Sequence, residues 1–124
     1  MITQLLRSLF RRPPTALTAS AAHSATLHGP GVLLDVREPQ EWQAGHAPQA
    51  RHIPLGQLES RLDELPRDRQ IIAVCRSGRR AALATRQLVA HGYAAVNLSG
   101  GMAAWTAAGL PVVGGRGGGT GRVL

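Results

Sequence analysis

One cysteine occurs in the chain, and it heads the stretch Cys75-Arg76-Ser77-Gly78-Arg79-Arg80. A thiol acts as a nucleophile through its thiolate, which nearby positive charge and unpaired N–H groups favour. Both are expected here. The apolar run Ile71-Ile72-Ala73-Val74 precedes the cysteine and a helical pattern starts near Arg79, which sets the sulfur between a strand end and a helix start. First-turn amides of such a helix have no partner within it, the macrodipole adds partial positive charge, and Arg76, Arg79 and Arg80 add full charges. Cys75 is therefore expected to ionise more readily than a free cysteine. Gly78 permits backbone conformations closed to other residues, so successive N–H groups can converge on one anionic centre. The chemistry that suits this stretch is covalent catalysis through a charged sulfur. A cysteine at a strand end is otherwise often a small buried hydrophobe. Three arginines in the next five residues weigh against that alternative, because each would need a partner or water around an inert thiol.

The rest of the composition limits what this sulfur can do. A chain of 124 residues makes one domain, large enough for a hydrophobic core without staples. A single cysteine forbids an internal disulfide and fits a reducing, cytoplasmic compartment, so sulfur chemistry at Cys75 needs an outside partner. All 14 basic residues are arginine, against 7 acidic ones, and the net charge of +7 favours anionic ligands. Nucleic acid is not expected, because one Tyr, one Phe and two Trp offer little to stack on bases and no recognition motif is present. Neither a metal nor a cofactor is called for. His46 and His52 lack a third ligand at suitable spacing and are assigned to the turn and its packing. Trp42 and Trp105 read as core anchors, and His91 as a residue at a helix end.

The elements that must position the cysteine follow from the pattern of apolar residues. Residues 1–14 form a basic amphipathic extension, with Leu5, Leu6, Leu9 and Phe10 beside Arg7, Arg11 and Arg12. Such a segment can contact an anionic membrane, but a frayed extension or a helix packed on the domain is the expectation, and a signal peptide is not expected, because Arg7 interrupts the short apolar part. The domain itself is assigned to residues 15–113. An alanine-rich helix follows Thr18 as N-cap and ends at His28-Gly29-Pro30-Gly31. The run Val32 to Arg37, apolar and closed by charge, reads as a strand buried on both faces whose carboxyl end reaches solvent. Glu38 to Trp42 starts a short helix, and Gln57 to Leu65 a second with Leu58, Leu62 and Leu65 inward. Gln70 to Val74 is the next strand. The helix after the cysteine loop carries Ala81, Leu83, Ala84, Leu88 and Val89 on its apolar side and stops at Gly92. A strand at Ala94–Leu98, a small helix at Met102–Trp105 and an extended Leu110–Val113 complete the domain. Residues 114–124, rich in glycine, are expected to be a flexible tail. Strands alternating with helices give an α/β fold, a small parallel sheet with helices on both faces, whose carboxyl edge gathers Asp35–Glu38, Cys75–Arg80 and Ser99–Met102.

These residues carry a resemblance. Leu34-Asp35-Val36-Arg37-Glu38, Glu41-Trp42, Gly45-His46, Pro48, Ala50 and Ile53-Pro54, then Cys75 to Arg80, then Gly100-Gly101 and Trp105, resemble in order and spacing the motifs of single-domain rhodaneses, which are sulfurtransferases. The likeness runs from about Val32 to Val113, with Ala47 where isoleucine is usual and Gln49 where glycine is usual. Gln49 requires that its position avoid positive φ. The resemblance implies that Cys75 attacks a sulfane sulfur donor, becomes a persulfide and hands the sulfur to cyanide or a thiol, a double displacement. It implies Arg76, Ser77, Gly78, Arg79 and Arg80 as the substrate-binding loop, with Asp35, Arg37 and Glu38 in support. Arg80 should be fixed by a carboxylate, Asp35 or Glu38 being nearest. Arg76 and Arg79 would steer a compact dianion such as thiosulfate in preference to mercaptopyruvate.

Two rivals stand beside this reading. Cysteine phosphatases and arsenate reductases share such a fold, but their loop places arginine six positions after the cysteine; here that position is Ala81, and Arg80 closes a loop one residue shorter. A persulfide carrier or partner-binding module without turnover would show the same residues.

Overall fold

The computed structural model describes residues 15–115 and 119–124. Five strands form one sheet, β1 (Ala16–Leu17), β2 (Val32–Asp35), β3 (Arg51–His52), β4 (Ile71–Val74) and β5 (Ala95–Leu98), in the order β1-β5-β4-β2-β3. Every pairing within it is parallel. Among the described residues four α-helices connect or flank the strands, α1 (Ala19–Leu27), α2 (Pro39–Ala44), α3 (Arg79–Ala90) and α4 (Gly101–Ala107). The α/β architecture expected from the alternation of elements is therefore present.

Period-two alternation splits the two central strands between two cores. Val32, Leu34, Ile71, Ala73 and Cys75 face a cluster completed by Ala81, Ala84 and Leu88 of α3 and by Leu58, Leu62 and Leu65. Leu33, Ile72 and Val74 face the opposite cluster, with Ala19 and Ala22 of α1 and Met102 and Trp105 of α4. Cys75 thus ends the inward row of β4, on the side covered by α3. Helix α1 starts where expected, with the Thr18 hydroxyl accepting from the Ala21 amide at 3.1 Å.

Several expectations are corrected. Ala16–Leu17 is a strand beside β5, which two residues carry too little periodicity to announce. The segment from Leu55 to Glu64 is two 3₁₀ turns rather than an α-helix, broken at Arg61 (φ −122°), although Leu58, Leu62 and Leu65 are buried as their spacing requires. Leu83 and Val89 are exposed at 48% and 55%, so the buried stripe of α3 is narrower than its apolar composition. Trp105 is fully buried, whereas Trp42 is half-buried and stacked on His46 and His52, at centroid distances of 3.6 and 4.8 Å.

The largest correction concerns the tail. Val113–Gly114 (β6) pairs antiparallel with Gly119–Thr120 (β7), Val113 bridges His46, the Arg122 amide donates to the Ala44 carbonyl at 2.7 Å, and Val123 packs against the Trp105 cluster. Gly114 and Gly121 instead let backbone approach backbone, since a Cβ on Gly114 would lie 2.8 Å from the Ala44 carbonyl oxygen and one on Gly121 would collide with the Val113 carbonyl. A Cβ on Gly45 would lie 2.5 Å from the nitrogen and oxygen of Arg122. The amphipathic pattern of residues 1–14 lies outside the described residues. Among the described residues no helix is long and apolar enough to cross a membrane.

Candidate active site

The carboxyl ends of β2, β4 and β5 bring the cysteine loop, the Asp35–Glu38 segment and the start of α4 to one edge of the sheet. Cys75 leaves β4 with its sulfur enclosed, the residue being 1% exposed. Sγ accepts from the Gly78 amide at 3.0 Å and the Ala81 amide at 3.4 Å. Gly78 is the N-cap of α3 at φ +118°, a left-handed conformation that turns its N–H back on the sulfur and that few side-chain-bearing residues adopt. The donors come from the turn and the first turn of α3, where no intrahelical acceptor competes for them. This cup holds electron-rich sulfur with backbone alone.

The loop is clamped from α4. The Met102 amide donates to the Cys75 carbonyl at 2.7 Å and the Ala103 amide to the Arg76 carbonyl at 3.1 Å. Gly101 makes this approach feasible, since a Cβ there would collide with the carbonyls of both Cys75 and Arg76. From β5, the Asn97 side-chain amide donates to the Gly78 carbonyl at 3.3 Å. Sequence reasoning placed Asn97 in a strand without giving it a role; the signal was a carboxamide in the otherwise apolar run Ala94 to Leu98.

Arg80 is fixed by a carboxylate, but it is Glu41 and not Asp35 or Glu38. Its Nη1 and Nη2 donate to Oε1 and Oε2 of Glu41 at 2.7 and 3.0 Å. Glu41 also accepts from the Glu38 amide at 3.1 Å, closing a capping box at the start of α2. Hydrogen bonding to Arg80 is the main reason the Glu41 carboxyl is lowered from 4.5 to about 2, with burial opposing and the Glu38 amide helping. The same pair raises Arg80. Glu38 itself is exposed, and Asp35 is committed elsewhere.

Asp35 and Arg37 are both fully buried and form their own ion pair, Nε to Oδ1 at 2.9 Å and Nη2 to Oδ2 at 2.7 Å. Arg37 Nη2 also donates to the Gly45 carbonyl at 2.7 Å, tying β2 to the end of α2. The His52 ring meets the Arg37 carbonyl at 2.7 Å, and the His46 ring meets the Trp42 carbonyl at 2.6 Å. Among the described residues no group of His, Cys, Asp or Glu has the arrangement of a metal site. Arg76, Ser77 and Arg79 are exposed around the cup.

The family model for the rhodanese-like domain matches residues 18–108. The chain belongs to the rhodanese-like family. The match begins at Thr18, so the rhodanese-like domain includes α1, ahead of the motifs from Val32 onward that carried the resemblance. A sulfurtransferase of Allochromatium vinosum is 41% identical over 83 residues, covering 66% of this chain and 78% of that one. A Bacillus subtilis protein provisionally named as the sulfur carrier YrkF is 43% identical over 75 residues, 60% of this chain but 40% of its own length. Among solved structures, a rhodanese-related protein from Thermoplasma volcanium superposes with a TM-score of 0.74 at 31% identity, over 79% of this chain and 96% of that one.

Proposed function

We propose that this rhodanese-like protein is a sulfurtransferase that takes sulfane sulfur from a small anionic donor of the thiosulfate type and passes it, through a persulfide on Cys75, to a thiol or cyanide. The observation that carries this reading is the sulfur of Cys75 facing the amides of Gly78 and Ala81 in a backbone cup. Sulfur transfer is also the role named for the Allochromatium relative.

The reaction balances as two displacements. The Cys75 thiolate attacks the outer sulfur of thiosulfate, a new S–S bond forms at Cys75, and the old S–S bond breaks with its electron pair leaving on sulfite. An acceptor thiolate or cyanide then attacks the outer persulfide sulfur, and the Cys75 thiolate departs. Amides aimed at the sulfur serve both steps, because negative charge rests in the cup before and after each. An enclosed sulfur favours a donor that presents one terminal atom, and exposed Arg76 and Arg79 attract a compact dianion and pair with leaving sulfite. The single cysteine suits a reducing, cytoplasmic setting in which the acceptor comes from outside the chain.

A second reading, a carrier that is loaded and unloaded by partner proteins, is favoured by the similarity to the carrier-named Bacillus protein. Steady-state transfer from thiosulfate to cyanide, compared with Cys75→Ser, separates the two. Turnover lost in the serine variant supports the enzyme. Stoichiometric persulfide on Cys75 by mass spectrometry, with negligible turnover, supports the carrier.

A further inference from the structure

Arg76 directly follows the nucleophile and is exposed, yet it is tethered: its Nε donates to a main-chain oxygen of Leu124 at 2.5 Å. That oxygen belongs to a segment docked on the protein. The Gly121 amide donates to the Val112 carbonyl, the Arg122 amide to Ala44, and Val123 rests on the Trp105 cluster. The seat fits backbone only, since a Cβ on Gly45 would lie 2.5 Å from Arg122. Hydrogen bonds, apolar packing and a glycine seat together deliver Leu124 to Arg76.

A guanidinium carries five N–H donors. Spending the one on Nε leaves the two terminal nitrogens as the edge that grips an oxyanion through parallel bonds. The geometry points to residues 119–124 as a strap that positions Arg76 for anionic donors beside the Cys75 loop. This rests on the proposed anionic donor and adds that its capture depends on a segment far outside the loop. An untethered arginine loses rotamer freedom when it binds an anion, whereas Arg76 has already given it up, a difference worth about two- to tenfold in capture.

Cys75 is the only cysteine, so alkylation by iodoacetate, an anion, against iodoacetamide, its neutral analogue, reads anion capture at the sulfur without requiring sulfur transfer. Two variants release the strap with no change of charge: Gly121→Val, whose side chain collides with the Val113 carbonyl, and Val123→Ser, which weakens its packing. Both are expected to lower the iodoacetate to iodoacetamide rate ratio about two- to tenfold, and neither to lower it further in an Arg76→Ala background. An unchanged ratio in a variant whose Arg122 amide has lost hydrogen-exchange protection overturns the proposal, as does an equal fall in the Arg76→Ala background. If circular dichroism shows Gly121→Val unfolded, Val123→Ser decides. A wild-type protein inert to thiosulfate that still shows the ratio effect removes the donor reading and leaves the strap standing.

Discussion

Arg80 and Glu41, 39 residues apart in the sequence, meet in a two-point ion pair that joins the first turn of α3 to the first turn of α2. The cysteine loop ends at Arg80, so this pair ties the end of the loop to α2. Arg80 and Glu41 side chains are 35% and 15% exposed, and solvent reduces the pair's worth to about 1 kcal/mol.

Replacing Arg80 by alanine should lower both melting temperature and sulfur-transfer rate. Glu41→Gln should reproduce most of the effect, and the double variant should lose less than the sum of the two. Thermal melts and kcat/KM on all four proteins check this; additive losses would mean that the two residues act separately.

The pair also sets a pH dependence. Glu41 titrates at about 2 in the folded chain against 4.5 ordinarily, so the unfolded state binds the proton first as pH falls. Its stabilisation is complete above pH 4.5 and disappears between there and about pH 2. The stability gap between wild type and Glu41→Gln should therefore be constant near neutrality and close across that acid window, measured by urea unfolding.

Arg37→Met should cost about 3–5 kcal/mol, since it leaves the Asp35 carboxylate buried without its partner. The double change Asp35→Leu with Arg37→Met should recover part of the loss. Denaturant midpoints for the two proteins decide it, and an equal loss in both would show that the Gly45 contact of Arg37 outweighs its ion pair.

Gly78→Ala forces a side chain into φ +118° and should turn the Gly78 amide away from the sulfur. A stability loss of about 1–3 kcal/mol is expected, with a fall in persulfide formation at temperatures where the variant is fully folded. Retained activity with an unchanged alkylation rate would show that Ala81 alone holds the sulfur.

Donor choice should follow the exposed arginines. Wild type should prefer thiosulfate over mercaptopyruvate, and Arg76→Gly with Arg79→Val should move the kcat/KM ratio toward mercaptopyruvate, less so at high salt. A ratio untouched by the double change would place selectivity elsewhere.

The central sheet and the cysteine loop were legible because their signals are local. Apolar runs closed by charge mark β2 and β4, and glycine placed beside arginines marks the turn at Gly78. What escaped depends on distant backbone. Glu41 lies close in sequence to Asp35 and Glu38, and only the packing of α2 against the loop selects among the three carboxylates. The Asn97 bond to Gly78 requires knowing that β4 and β5 are neighbours. Glycines after Val113 look alike in a mobile tail and in a close-packed strand, because the same missing side chain permits both. The second requires Gly45 to lie opposite, which composition does not disclose.

The clamp on the cysteine loop is made of main-chain bonds, Met102 to Cys75 and Ala103 to Arg76. Neither bond depends on which side chain occupies position 76, and the exposed side chains of Arg76, Ser77 and Arg79 carry none of the loop's shape on the α4 side. Those three positions can consequently be exchanged without touching the main-chain clamp, although replacing Arg76 removes its contact with Leu124. A library randomised at 76, 77 and 79 should keep its fold while it samples donors, which makes this edge of the sheet a place where selection can rewrite specificity without rebuilding the catalyst.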